Sequence, residues 1–444
     1  MTIAWDQRER KSTPEINVHI QRQCLSCGAP INTFNSEDTE QADLRGGRSP
    51  WFAGLEHIFR PPVSGDLRCD VLIVGCGITG ALMAEQLTRQ GLDVVIMDRE
   101  LPGRGSTAAS TSMLLWEIDR SLTELTAAYG FERARRAYRA SFEAVLGLKS
   151  LVQRLGLPCE MRDNDSLYLA AGDSSKELMQ EHALRQRAGL PGTFLDHKRL
   201  LTEFGIARAG GILSPGSADA DPVQLAHGLL QTAVARGARL VEAEAIEFDS
   251  APHSVGVTLE QGAMVEARHV VLATGYAMPG IVRATLQKPS SSWAIATAPQ
   301  PENIWKDAAL IWEDSKDYLY ARTTASGRII IGGEDSEKVI EPDARDALIP
   351  DKSRRLMEKL TALWPRAEPD IEFRWAGTFD TTSDGLPLIG PVPGAKGVYA
   401  AYGYGGNGIT FSYLAAQLIG ALIGGASSPL LEDFALDRDG PANP

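Results

Sequence analysis

The sequence predicts an α/β chain in which a parallel, doubly wound sheet, assembled from separated segments, is joined to a second domain built on an antiparallel sheet (α+β). Three observations lead there. An apolar strand, a helix and a second strand follow one another from Cys69 to Met97; another buried strand ending in glycine, 269–275, returns far downstream; and between 281 and 375 the apolar residues alternate instead of running together. The chain has 444 residues, 43% hydrophobic and 23% charged, the composition of a folded globular protein and not of a disordered or collagen-like one. Its 44 basic and 57 acidic residues give a net charge of −13, which argues against binding nucleic acid or an anionic membrane through charge. Five cysteines, an odd number in a long chain, argue against a secreted disulfide framework, and a reducing, cytoplasmic setting is expected. The longest apolar stretch, 413–426, is too short for a membrane span and contains Gln417, so it reads as a buried helix.

Residues 1–65 are polar, carry Gly46, Gly47 and Pro62, and read as an N-terminal extension or arm that could dock on a neighbour or support an oligomer. Cys24 and Cys27 form a CxxC without a second closely spaced pair, so two free thiols are expected rather than a zinc site. The first nucleotide-binding segment, 66–160, contains the strand–helix–strand unit and a helix opened by Ser121 and Glu124, a capping box; Gly130 breaks this helix, and it resumes through Leu155 before Gly156 and Pro158. Short strands and helices over 161–215 are assigned to the second domain. A second nucleotide-binding segment, 216–280, starts a helix with Asp221 as N-cap and Pro222 behind it, and ends it at Gly237. Strands follow at 239–245, 254–260, 264–267 and 269–275. The alternating segments 293–298, 309–312, 318–323 and 328–332 place an antiparallel substrate domain at 281–375. The glycine-rich third segment covers 376–434, and 435–444 is a tail.

Gly75-Cys76-Gly77-Ile78-Thr79-Gly80 is a GxGxxG between a strand and a helix start. In that setting the first glycine makes the turn, the second lets backbone approach a pyrophosphate and the third lets helix and strand pack closely, while the helix N-terminus offers N–H donors to the phosphates. Asp98, followed by Arg99 at the end of the second strand, is placed to bind a ribose diol. The nucleotide half is therefore Rossmann-like, and its ligand is either FAD or NAD. A loop of small and hydroxyl side chains, 102–113, follows, and a late glycine loop, 403–408, opens a helix; such a loop sets backbone N–H groups beside a group that becomes negative, as a reduced flavin does.

With these residues the chain resembles the flavin amine oxidoreductases, the family of D-amino acid oxidase, glycine oxidase, sarcosine oxidase and γ-glutamylputrescine oxidase. The likeness runs over roughly 66–434 and rests on 71–80 with Asp98, on 105–114, on 270–275, and on 375–377 through 384–390 to 405–410. It implies FAD, with the pyrophosphate over Gly77, Ile78, Thr79 and Gly80 and beside Ser106 and Thr107, and the ring between Ser110, Thr111, Ser112, Met113, Leu114 and the loop Gly405, Gly406, Asn407, Gly408, Ile409, Thr410. It also implies an adenine contact from Ile246 and FAD contacts from Ala273, Thr274 and Gly275. Glycine oxidase clamps its substrate carboxylate with an arginine where this chain has Phe379, and monomeric sarcosine oxidases have an oxygen-activating lysine where this chain has Ile330. The cysteine and histidine that tether flavin in some relatives have no counterpart, because no cysteine follows Cys159 and no histidine lies between His57 and His182. Noncovalent FAD is expected. Tyr318 resembles a substrate-facing tyrosine, and Tyr320 and Arg322 alternate with it; Tyr318 and Arg322 are the candidate catalytic residues, and Trp375 is read as packing. The expected activity is hydride transfer from the C–N bond of an amine or amino acid to flavin, with oxygen or another acceptor taking the electrons. The rival expectations are a flavin subunit that passes electrons to a partner protein and an FAD/NAD(P)H hydroxylase.

Overall fold

The computed structural model describes residues 44–52, 58–283, 286–313, 318–336 and 340–440. Cys24, Cys27 and most of the expected arm lie outside them.

Leu67–Val74 supplies the centre of the parallel sheet. Its Val71, Leu72 and Ile73 are wholly buried because both faces are covered, and the run therefore does not alternate. Val94–Asp98 pairs in parallel on one side and Met264–Leu272 on the other, with Arg239–Glu242 and Val398–Tyr402 continuing outward. Three chain segments thus make one sheet. The helix Ile78–Arg89 lies on one face and packs against Pro222–Ala235 and Gly408–Ile423. Asp221 caps Pro222–Ala235 by accepting the Val223 and Gln224 amides at 2.9 Å, and the Ser121–Glu124 capping box opens Leu122–Tyr129. Gly130, at φ 81°, separates that helix from Phe131–Leu155. The stretch Gly405–Ile423 is long and apolar enough to cross a membrane, yet its Phe411, Ala415 and Ile419 are buried in the core against Ile78–Arg89 and Phe131–Leu155.

The second sheet runs, among the described residues, in the order Arg45–Arg48, Ile371–Thr382, Gln287–Thr297, Ile329–Ser336, Leu319–Thr323, Leu310–Glu313, Arg162–Leu169, Gly210–Asp219, Met113–Leu114. Pairings are antiparallel except one: Leu310–Glu313 runs parallel to Arg162–Leu169, which joins the 161–215 region to the later strands. The helix Ile349–Leu363 covers one face through Leu356, Leu360 and Leu363.

Three boundaries differ from the sequence reading. Residues 44–52 are part of the sheet: Arg45–Arg48 pairs with Ile371–Thr382, Arg45 opposite Gly377 and Gly47 opposite Trp375. A β-carbon on Gly47 would meet the Arg374 carbonyl, so the glycine that suggested a loose arm is what lets the edge strand lie down. At the other end, residues 435–440 are docked. Leu436 is buried, and Arg438 makes a bidentate ion pair with Asp384 at 2.7 and 2.8 Å. The strand Ile371–Thr382 also crosses the expected boundary at 375 without a break.

Candidate active site

One cavity of about 1760 Å³ runs between the two sheets. Small-molecule pockets usually measure about 300–1,000 Å³, so it has room for a large cofactor and a second molecule together. Its wall contains Gly75, Gly77, Ile78, Thr79, Asp98, Arg99, Ser106, Thr107, Ser110, Thr111, Ser112, Met113, Ile246, Ala273, Thr274, Gly275, Gly405, Gly406, Asn407, Gly408 and Ile409, brought together from six separate stretches. Gly80, Leu114 and Thr410 lie behind it. A β-carbon on Gly80 would overlap the Gly75 carbonyl, so this position serves helix–strand packing. Leu114 is wholly buried and pairs with Ala218, and Thr410 donates to the Leu115 carbonyl at 2.8 Å.

The nucleotide end is built from backbone. Gly75 sits at φ 112°, and a β-carbon there would strike the Ala273 carbonyl. Thr107 Oγ1 accepts the Ile78 amide at 2.9 Å, holding the loop against the helix N-terminus. Asp98 accepts the Cys76 amide at 2.6 Å and the Glu100 amide at 2.9 Å. A carboxylate has about four acceptor positions, which leaves two for a ribose diol. Burial raises the Asp98 pKa, against the lowering effect of those amides and of Arg60 and Arg99. Arg99 itself is paired with Glu244 at 2.9 Å. The open glycine turn, the carboxylate with free lone pairs and the size of the cavity fit an extended dinucleotide such as FAD.

The loop that follows is braced from outside the nucleotide domain. Arg45 Nε donates to Arg104 O at 2.7 Å, Ser49 Oγ to Ala108 O at 2.7 Å, Trp51 Nε1 to Ser110 O at 2.8 Å and Trp375 Nε1 to Ala109 O at 2.8 Å. Trp375 is the packing residue expected of it, and it also reaches the cavity wall. The late glycine loop is pinned from the opposite side: the Gly406 amide donates to Asp119 Oδ2 at 2.7 Å, and the Asn407 side chain to the Glu117 carbonyl.

Tyr318 and Tyr320 line the sheet end of the cavity with ring centroids 5.9 Å apart, and Trp293, Trp312, Thr378 and Phe379 lie in the same wall. The Tyr318 hydroxyl donates to Asp335, and Tyr320 hydrogen-bonds with Ser292 at 3.1 Å. Burial, and then Asp335, push the Tyr318 pKa up, so its hydroxyl stays protonated.

Arg322 does not take the place expected of it. Its side chain is 2% exposed, donates to the Ser112 and Ala220 carbonyls at 2.8 and 3.2 Å, sits 3.7 Å from Asp219 and lies over the Trp51 ring. It alternates with Tyr320 as the sequence suggested, but two residues further along the strand the 110–114 loop closes over it. It is a strut under Ser112 and not a catalytic group.

Among the features of the wall that sequence reasoning missed are Leu44, Asp119, Asp335 and Asp380. Asp119 follows a buried stretch and precedes the capping box, with no local signal of function. Its side chain is open to the cavity although it lies deep in the molecule, and burial together with Asp335 lifts its pKa to about 6 against the Gly406 amide. Asp335 ends an apolar strand just past Gly333, a polarity change that could have marked it. Asp380, 1% exposed, has one oxygen bonded to Gln287 and the other without a partner; burial lifts its pKa to about 7.

Comparison with known proteins agrees with this geometry. The profile of the DAO family, FAD dependent oxidoreductases, matches residues 70–422. Gamma-glutamylputrescine oxidoreductase of Escherichia coli (strain K12) is 26% identical over 390 residues, covering 85% of this chain and 89% of that protein. Glycine oxidase of Bacillus licheniformis is 26% identical over 385 residues, covering 84% and 98%. The crystal structure of glycine oxidase from Geobacillus kaustophilus superposes with a TM-score of 0.71 at 22% identity, over 84% of this chain and 99% of that one. The matched region includes both glycine loops and the sheet that carries Tyr318, and the chain belongs to the DAO family of FAD dependent oxidoreductases, an FAD enzyme of the amine and amino acid oxidase type.

Proposed function

We propose that this enzyme oxidises the C–N bond of an amine bound between the glycine loop at 405–409 and the sheet face of Tyr318 and Tyr320. The observation that carries the reading is the continuity of the cavity: nucleotide loops line one end and an aromatic sheet face the other, so cofactor and substrate share one enclosed space. FAD, held without a covalent bond by Asp98, the Gly75–Gly80 turn and the 106–113 loop, would accept the two electrons, leaving an imine that water hydrolyses. The residues of this chain orient and exclude water. Asn407 and Gly406 are fixed by Glu117 and Asp119, so the loop's backbone is held in place before substrate arrives, and helix Gly408–Ile423 points its N-terminus the same way. Trp312 and Phe379 give the substrate end apolar surface beside Tyr318 and Tyr320. Among the described residues, neither a cysteine nor a histidine lines the cavity, in keeping with noncovalent FAD.

Phe379 on the wall and Arg322 beneath it leave both expected positions without a carboxylate clamp. Burying a carboxylate without a cationic partner is costly, so glycine and sarcosine are expected to be poor substrates. The test is an anaerobic screen of amines and amino acids that follows bleaching of the oxidised flavin. Rapid bleaching by amines supports the reading; a flavin that no amine reduces refutes it, and efficient reduction by glycine refutes the argument from Phe379.

A further inference from the structure

The substrate end of the cavity carries two carboxyl groups that the amine-oxidation step does not use. Asp119 and Asp335 both line it, from different elements: Asp119 from the segment before helix Leu122–Tyr129, Asp335 from strand Ile329–Ser336. Asp119 is fixed on one oxygen by the Gly406 amide at 2.7 Å and is otherwise open to the cavity. Asp335 is fixed on one oxygen by the Tyr318 hydroxyl and is favoured as a carboxylate by the nearby Ser292 hydroxyl, which itself bonds with Tyr320, while its buried Oδ1 has no well-aligned hydrogen-bond partner. A buried acceptor left empty costs about 1–3 kcal/mol, so a group that fills it is expected. The two carboxylates also act on each other: Asp335 raises the pKa of Asp119, the like-charge effect that an intervening cation would reverse. Lys352 and Lys359 offset Asp335 in part from outside the cavity, where both hold Glu334. Arg120 and Lys288 also line the cavity, but the charge acting on Asp119 is that of Asp335.

Resting on the amine-oxidation reading, we propose that Asp119 and Asp335 form a subsite for a second, positively charged group of the substrate, so that the enzyme prefers amines bearing a distal ammonium to monoamines and simple amino acids. One amine enters neutral and is oxidised; the other stays an ammonium and completes the hydrogen bonds that Asp335 lacks. The chemistry at the reacting carbon is unchanged, and the subsite acts through affinity and orientation.

The experiment uses the holoenzyme under anaerobic conditions and the linear diamines putrescine, cadaverine and hexamethylenediamine. Each is compared with a monoamine of the same length that ends in methyl, and with an amino alcohol that ends in hydroxyl. Flavin reduction rate divided by apparent Kd is read for each. The best diamine should exceed its monoamine and its amino alcohol by on the order of ten- to a hundredfold, as charge-pair energies of this kind imply. Asp335→Asn and Asp119→Asn should each bring that ratio toward one while FAD remains bound. Parity of every diamine with its monoamine, while some amine still bleaches the flavin, overturns the subsite and leaves the amine reading intact. An amino alcohol as good as the diamine overturns the requirement for charge, and a flavin that no amine reduces overturns both.

Discussion

Trp51 lies outside the region matched by the family profile, yet it holds the wall of the cavity, and replacing it tests whether residues 44–52 belong to the catalytic unit. The indole is 5% exposed and packs with Ala108, Val223, Ala294, Ala296, Ile330 and Trp375. It donates to the Ser110 carbonyl at 2.8 Å, and the Arg322 guanidinium lies 5.2 Å from its ring centroid. Trp51→Phe keeps most of the apolar contact and deletes the donor, which costs about 1–3 kcal/mol if the Ser110 carbonyl stays dry. Trp51→Ala adds a cavity and uncovers Arg322, for a total of about 3–5 kcal/mol. At about 2.1 cal/mol/K per residue, 444 residues unfold with an entropy of about 0.9 kcal/mol/K, so the alanine variant should lower the Tm of the apoprotein by about 3–5 °C and the phenylalanine variant by about 1–3 °C. Because Ser110 lines the cavity, FAD affinity should fall in the same order, by about fivefold for each 1 kcal/mol transmitted to the loop. Thermal unfolding of apoprotein and fluorescence titration with FAD measure the two effects. An alanine variant with wild-type Tm and wild-type FAD affinity would show that this segment does not brace the loop.

Asp98→Ala should weaken FAD by about 1.5–3 kcal/mol, the value of hydrogen bonds to a charged acceptor; unchanged titration of apoprotein removes Asp98 from the ribose site. Acid precipitation should release all the yellow colour into the supernatant, and colour left in the pellet would reveal a covalent tether. With Ile330 wholly buried among Trp51 and Trp375 where an oxygen-activating lysine was sought, reduced flavin should reoxidise slowly in air and faster with an acceptor dye, as stopped-flow mixing would register. Asp384 is buried, which alone would raise its pKa, but Arg438 and Tyr129 hold it at about 2, below the unfolded value. A depressed carboxylate stabilises the fold fully above about pH 4, and this contribution, about 2 kcal/mol, is lost as pH falls from about 4 toward 2. Asp384→Asn should therefore be less stable than wild type at pH 6 and should lose less on acidification between pH 4 and 2; parallel Tm curves would contradict this.

What could be read from the sequence was whatever a short stretch decides by itself. The turn at Gly75–Gly80, the capping box at Ser121 and the Asp221-Pro222 helix start depend on residues within a few positions of one another, and each stands where the pattern put it. The wall of the site depends on distant segments meeting. Arg45–Arg48, with sequence RGGR, has no apolar alternation, and what makes it a strand is the exposed backbone of Ile371–Thr382, against which only glycine at position 47 can lie. Arg322 shows the same limit from the other side. Period-two alternation placed it correctly on a face with Tyr320, but nothing in its own strand says that Ser112 arrives to cover it. Asp119 was invisible for this reason too, and the polarity change at Asp335 said nothing of a partner, since an aspartate near a helix start or a strand end is ordinary until the fold brings the two to one cavity. The sequence reading looked for an arginine to clamp a carboxylate and found Phe379. The structure puts two carboxylates at the same end of the cavity, so the missing cation is better understood as one that the substrate carries.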